Sequence, residues 1–255
     1  MQRSIYLAYG VVCYLMFLAV YLYFAGFVAN WFVPKSIDSG VTGSIAMAVV
    51  VDVALLLLFG LQHSIMARPA FKRVWTRLIP APIERSTYLL FSNLALIALM
   101  WLWQPIDSVI WNVQQPVAWW LLTALFAAGV LLVPLVSLMI NHFDLFGLRQ
   151  VWLDWQGKPY TPLPFHTPLA YSWVRHPLYV AWAIFFWATP TMTLGHLLFA
   201  GMLTGYMVLA SKIEERDLVA HFGEQYESYR RRVPAFLPSG KRADQPAQPT
   251  AEPAA

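Results

Sequence analysis

Apolar residues fill this chain in long blocks, interrupted by short polar stretches rather than alternating with them. The blocks span 5–33, 41–67, 86–103, 117–140 and 178–211. A bilayer crossing takes about 20 mostly apolar residues, so the first four read as single transmembrane helices. The first is longer than the ~7–15 apolar residues of a secretory signal and reads as a retained helix. Pro134 predicts a kink in the fourth. The fifth block has no Asp, Glu, Lys or Arg, and Pro190 and Gly195 interrupt it within 189–195. That pattern predicts an apolar hairpin with two short arms of roughly 12–17 residues, either short tilted helices or a re-entrant pair. Beyond it, 212–222 predicts a helix stopped by Gly223, and 224–232 a second. The fold class expected is an all-α integral membrane protein with about six transmembrane helices, the last two a short hairpin, plus cytoplasmic C-terminal helices.

Residues 141–176 are polar and aromatic, with Gly147, Gly157, Pro159, Pro162, Pro164 and Pro168. They read as an ordered lid or re-entrant loop rather than continuous helix. Residues 239–255, rich in Pro, Ala and Gln, read as a disordered tail. Residues 1–238 then form one membrane domain.

Charge adds orientation. Only 12% of the 255 residues are charged, about half the share typical of a soluble domain. The net charge is +4. With the N-terminus inside, every one of the 17 Lys and Arg residues except Lys35 lies in an inner segment. That asymmetry predicts cytoplasmic N- and C-termini and an even number of crossings. It assigns the positive charge to topology and the membrane surface rather than to nucleic acid, with Arg230, Arg231 and Arg232 facing lipid headgroups. Trp101, Trp103, Trp111, Trp119 and Trp120 cluster around one outer loop, as an interfacial belt does. Cys13 is the single cysteine and reads as packing.

Candidate chemistry concentrates in two regions. The chain has no G-x-G-x-x-G, no G-x-x-x-x-G-K-[ST] and no G-x-S-x-G. Its histidines, at 63, 142, 166, 176, 196 and 221, lack a tight metal-ligand spacing, so no metal is assigned. The hairpin would return Glu214, Glu215 and Arg216 to the surface that carries Arg175 and His176, with Tyr179, Tyr226 and Tyr229 nearby. Carboxylates and ring faces suit a cationic centre, and Arg and His suit a carboxylate. The same cluster also reads as an ionic belt anchoring the hairpin. Asp52 and His63 share one face of the second helix; an intramembrane Asp is either functional or paired. His142 and Asp144 read as an acid–base pair or a helix cap, Arg149 as a carboxylate ligand or a surface marker, and His166 as a candidate base. His196, in the hairpin turn, reads as uninvolved.

The ordered set Arg175-His176-Pro177-Leu178-Tyr179, the apolar hairpin, Glu214 to Leu218, Phe222 to Tyr229 and Val233-Pro234 resembles the isoprenylcysteine carboxyl methyltransferase superfamily, which shades into NnrU-like membrane proteins. Ala181 replaces the family's usual Gly, and Ala235 its usual Arg. The resemblance implies S-adenosyl-L-methionine as methyl donor, held within 175–238 and involving Arg175, His176, Tyr179, Glu214, Glu215, Tyr226 and Tyr229. A narrower resemblance rests on Asn141 to Val151, Phe165-His166-Thr167-Pro168 and Val174 to Pro177. It points to the bacterial methanethiol S-methyltransferases, and so to a small thiol substrate and a bacterial inner membrane; the alternatives are methylation of another acceptor (a lipid, a quinone precursor or a protein carboxyl group) and a non-enzymatic NnrU-like membrane assembly role. A thiol must ionise before it attacks, so the implied roles are His142, Asp144 or His166 as proton acceptor and Arg149 or Arg175 as the cation favouring thiolate.

Overall fold

A backbone inside lipid must satisfy its own N–H and C=O groups, so long uninterrupted apolar runs become long helices. The computed structural model describes residues 1–41 and 43–238; the expected tail at 239–255 lies outside the described residues. Five helices among the described residues are long and apolar enough to cross a membrane. They are α1 (Gln2–Ala29), α2 (Ile45–Ala67), α4 (Glu84–Leu102, led by a 3-10 turn), α5 (Pro116–Ile140) and α9 (Leu194–Phe222). The chain is therefore an integral membrane protein. The shorter helices are α3 (Pro69–Trp75), α6 (His142–Leu145), α7 (Leu148–Trp155), α8 (Pro177–Trp187) and α10 (Glu224–Arg232).

The first helix ends at Ala29 rather than at 33, because Asn30 turns left-handed (φ 59°) ahead of Pro34. Helix α5 runs without interruption through Pro134. The lid expected at 141–176 is α6, α7, an irregular stretch and one 3-10 turn.

The hairpin departs most from expectation. Its two arms are not alike. The first, α8, has 11 residues and rises only about 16 Å at 1.5 Å per residue. The second is continuous with the predicted helix at 212–222, giving one 29-residue helix that stops where Gly223 adopts φ 56°. Residues 188–193 complete the short arm in extended form. Their backbone is satisfied by a two-stranded antiparallel sheet, β1 (Val109–Asn112) with β2 (Thr191–Thr193). Around it, Leu194 N donates to Ser108 O and Val113 N to Pro190 O.

Helix α8 lies along α5, α4 sits between α1 and α2, and α9 packs on α2 and α8. The α5–α8 contact depends on Gly129, where an added Cβ would sit 2.7 Å from Phe185 N. The core is aromatic, with Phe24, Phe27, Trp103, Phe185, Phe186 and Phe199. Leu22, Val50, Leu121 and Leu131 point outward, as lipid-facing residues do. At the sheet end, Trp103, Ile106, Ile37 and Met192 are almost fully buried. Asp52 there is fully buried and accepts from Gln104 N at 2.9 Å, and His196 meets the Phe186 carbonyl at 2.9 Å. Asp52 Oδ1 is thus engaged within the bundle, while Oδ2 is buried without a hydrogen-bond partner among the described residues.

Candidate active site

The charged end of the hairpin gathers groups from four elements. Pro177 opens α8, so Arg175 and His176 sit immediately before its first turn. Their backbone N–H groups donate to Pro234 O (2.9 Å) and Ala235 O (3.0 Å), clamping the segment after α10 onto the start of α8. Glu215 Oε1 receives Arg175 Nε at 2.7 Å and meets His176 Nε2 at 2.9 Å. The Arg175 guanidinium also donates to the carbonyls of Arg230 and Val233. Tyr179 donates to Glu214 Oε2 at 3.0 Å, and the His176 ring stacks on Tyr179 with centroids 5.3 Å apart.

Arg175, His176, Tyr179, Glu214 and Glu215 therefore form one cluster. Its charges are divided unequally. Glu215 is neutralised by Arg175, whereas the Glu214 side chain is 45% exposed and engages Tyr179 and His176 through Oε2. A partly free carboxylate beside stacked rings suits a sulfonium or ammonium cation, so this donor set fits the expected methyl donor.

Tyr226 and Tyr229 stand behind the cluster. They pack with Val233, Phe165, Leu218 and Phe222, and Tyr229 donates to Tyr171 O at 2.6 Å. Burial pushes both phenols up. Their placement is that of supports that seat α10 on the loop.

Of the four loop residues, Asp144 and Arg149 pair with each other, while His142 and His166 have other partners. His142 is buried, with one ring nitrogen 2.7 Å from Tyr14 Oη and the other 2.7 Å from Ser137 Oγ. Burial holds its imidazole below the ordinary range. Asp144 pairs with Arg149 at 2.9 Å and also accepts from Tyr160. Arg149 donates further to Thr161 O and Oγ1. His166 is exposed, with Nδ1 3.1 Å from Pro164 O. These contacts fold the loop, and the structure does not bring the four into the ionic cluster.

A third polar group lies between α2, α4 and α9. His63 on α2 meets Ser92 and Tyr88 of α4. Ser64 meets Tyr206 of α9 at 3.0 Å. Arg68 donates to Ser64 O and pairs with Asp217 at 2.8 Å. No motif marks Tyr88, Ser92 or Tyr206, and Asp217 is a variable position inside the Glu214 to Leu218 stretch. The one signal was His63, an ionisable residue inside an apolar block.

Known proteins give a consistent picture. The chain is 52% identical to a methanethiol S-methyltransferase of Crocosphaera subtropica, covering 93% of each chain. It is 50% identical to a methanethiol S-methyltransferase of Mycobacterium tuberculosis, over 93% of this chain and 98% of that one. Nurim of Pan troglodytes is 35% identical over 66% of each. No family model matches, and no solved structure does.

Proposed function

The chain belongs to the methanethiol S-methyltransferase family, and on that premise we propose that it methylates methanethiol to dimethyl sulfide with S-adenosyl-L-methionine as donor. It is a methyltransferase. The observation that carries the substrate and donor is the half-free Glu214 carboxylate beside the His176–Tyr179 stack, in a chain whose relatives are named for thiol methylation.

When bound, the donor supplies a methyl group on positively charged sulfur. Glu214 and the Tyr179 ring hold that cation, while Arg175 and Glu215 fix the clamp formed by the segment after α10. Tyr226 and Tyr229 keep that clamp seated. Thiolate and sulfonium carry opposite charges that cancel as the methyl moves, so apolar surroundings favour the transition state over the separated ions. Residues that hold the thiol in line with the donor's methyl group would supply most of the remaining acceleration by positioning. Among loop residues, Arg149 and Asp144 neutralise each other and hold the lid closed on Thr161. Both termini lie in the cytoplasm, where the polar donor is found, and the small apolar thiol and its neutral product partition through lipid.

Purified protein in nanodiscs, supplied with S-adenosylmethionine and methanethiol, is expected to release dimethyl sulfide into the headspace, read by gas chromatography. Donor binding without dimethyl sulfide would overturn the thiol assignment. Lack of donor binding by calorimetry would overturn the enzyme's cofactor as well.

A further inference from the structure

We infer that the groove between the start of α1 and α7 binds one anionic phospholipid, an inference independent of the reaction proposed above. Two close approaches fix the geometry. A Cβ added at Gly10 would sit 2.6 Å from Val151, and one added at Gly157 would sit 2.9 Å from an Arg3 guanidinium nitrogen. Helix α7 therefore runs antiparallel along the first turns of α1, with Val151 fully buried at the seam. Beside that seam, α1, α6 and α7 leave a groove of about 510 Å³. That size lies within the roughly 300–1,000 Å³ of small-molecule sites.

The walls suit hydrocarbon. Leu7 and Val11 of α1, Phe143 of α6, and Leu148 and Trp152 of α7 line the groove. Its two polar liners are already engaged. Asn141 caps α6 by accepting from Asp144 N, and Arg149 is held by Asp144 and Thr161. Val11, Phe143 and Trp152 are exposed, so the groove opens outward along a helix that enters the bilayer. An apolar trough facing lipid takes an acyl chain rather than a water-soluble solute. Trp155 stacks on Trp152 with centroids 5.1 Å apart, and both rings are exposed. Exposed tryptophans beside a membrane helix sit at headgroup level, which places the end of α7 at the membrane surface.

The rim supplies partners for a phosphate. Arg3, Leu7 and Val11 recur every four residues and share one face of α1, so Arg3 stands at the end of the groove, beside Gly157. Lys158 is the next residue. Both side chains are exposed, and neither forms an ion pair or hydrogen bond among the described residues. Asp154, the one acid of α7, has Oδ2 buried without a partner and so neutralises neither. Two unpaired cations at the mouth of a hydrocarbon trough match a phosphate at the head of an acyl chain. They favour a lipid of net negative charge over a zwitterionic one, whose own ammonium would be repelled by them.

The test is native mass spectrometry of the full chain released from nanodiscs of equal phosphatidylglycerol and phosphatidylcholine. The parent should retain one lipid and favour phosphatidylglycerol about 10- to 30-fold, since each basic side chain at an anionic surface contributes about a factor of five. Arg3→Gln combined with Lys158→Gln should reduce that preference to within about threefold while leaving a lipid bound. Its unfolding temperature in phosphatidylcholine alone should match the parent, which shows the fold intact. Val11→Trp fills the groove and should remove either lipid; should it misfold, the charge variant decides alone. A parent that retains no lipid or both lipids equally, a charge variant that keeps the preference, or a folded Val11→Trp that keeps its lipid would each overturn the assignment. So would a second copy of the chain in place of the lipid, seen as dimer mass, or displacement of the lipid by inorganic phosphate.

Discussion

Glu215→Gln probes the joint on which the donor cluster depends. The carboxylate receives Arg175 Nε at 2.7 Å and contacts His176 Nε2 at 2.9 Å, and the Arg175 and Glu215 side chains are both only 14% exposed. Glutamine retains a neutral acceptor but removes the charge. A charge-assisted hydrogen bond contributes about 1.5–3 kcal/mol, and water screens little of it at this exposure. The loss of one such bond is the expected effect. It falls on the clamp, because the same guanidinium holds the Arg230 and Val233 carbonyls. With tenfold per 1.4 kcal/mol, S-adenosylhomocysteine binding should weaken about 10- to 150-fold. Calorimetry in nanodiscs measures that, and amide hydrogen exchange over 233–236 reports whether the clamp has loosened. A dissociation constant within threefold of the parent, with unchanged exchange, would refute the coupling between this ion pair and the donor site.

Other substitutions test separate joints. Gly129→Ala places a methyl against the Phe185 backbone and should cost about 1–3 kcal/mol, read as a lower unfolding temperature in detergent. An unchanged temperature would mean α5 and α8 are free to separate. Tyr229→Phe removes the 2.6 Å bond to Tyr171 O and should cost about 0.5–1.5 kcal/mol, with faster proteolysis within α10; equal cleavage rates would count against its supporting role. Asp217→Asn breaks a pair that is 29% and 42% exposed and should change stability by only about 0.2–1 kcal/mol. His142 supplies a pH test. Burial depresses its imidazole from the ordinary 6.5, so the unfolded chain takes the proton first. Its contribution is full above about pH 6.5 and is lost as the pH falls through the folded value. His142→Gln should flatten the fall in unfolding temperature between pH 7 and 5, and an unaltered slope would contradict the assignment.

Hydropathy alone located the long helices, because crossing length and absence of charge are local properties. The meeting of Arg175-His176 with Glu214-Glu215 was also legible, since an apolar run without charge between them had to fold back. The continuity of α9 was not. The charges from Lys212 onward mark where lipid ends, not where helix ends, and the helix continues until Gly223 takes φ 56°. Nor were the strands: Val109-Ile110-Trp111-Asn112 is strand-prone but short, and its partner at Thr191–Thr193 is distant in sequence. The roles expected of His142, Asp144, Arg149 and His166 came from residue type. Two of their partners, Tyr14 and Ser137, come from α1 and α5, and Tyr160 and Thr161 come from farther along the same loop, pairings that residue type does not announce. His63 shared a helix face with Asp52, but the two serve opposite ends of α4, one at Gln104 and one at Tyr88.

The strand pair that completes the short arm of the hairpin also determines traffic. By lacing the 109–113 loop to residues 190–194, it stoppers the far end of the bundle above a plug of Trp103, Ile106 and Met192. The ionic cluster of Arg175, His176, Glu214 and Glu215 lies at the other end of α8 and α9 from this plug. A methylated thioether formed at that end would leave by its own solubility in hydrocarbon rather than past the laced strands.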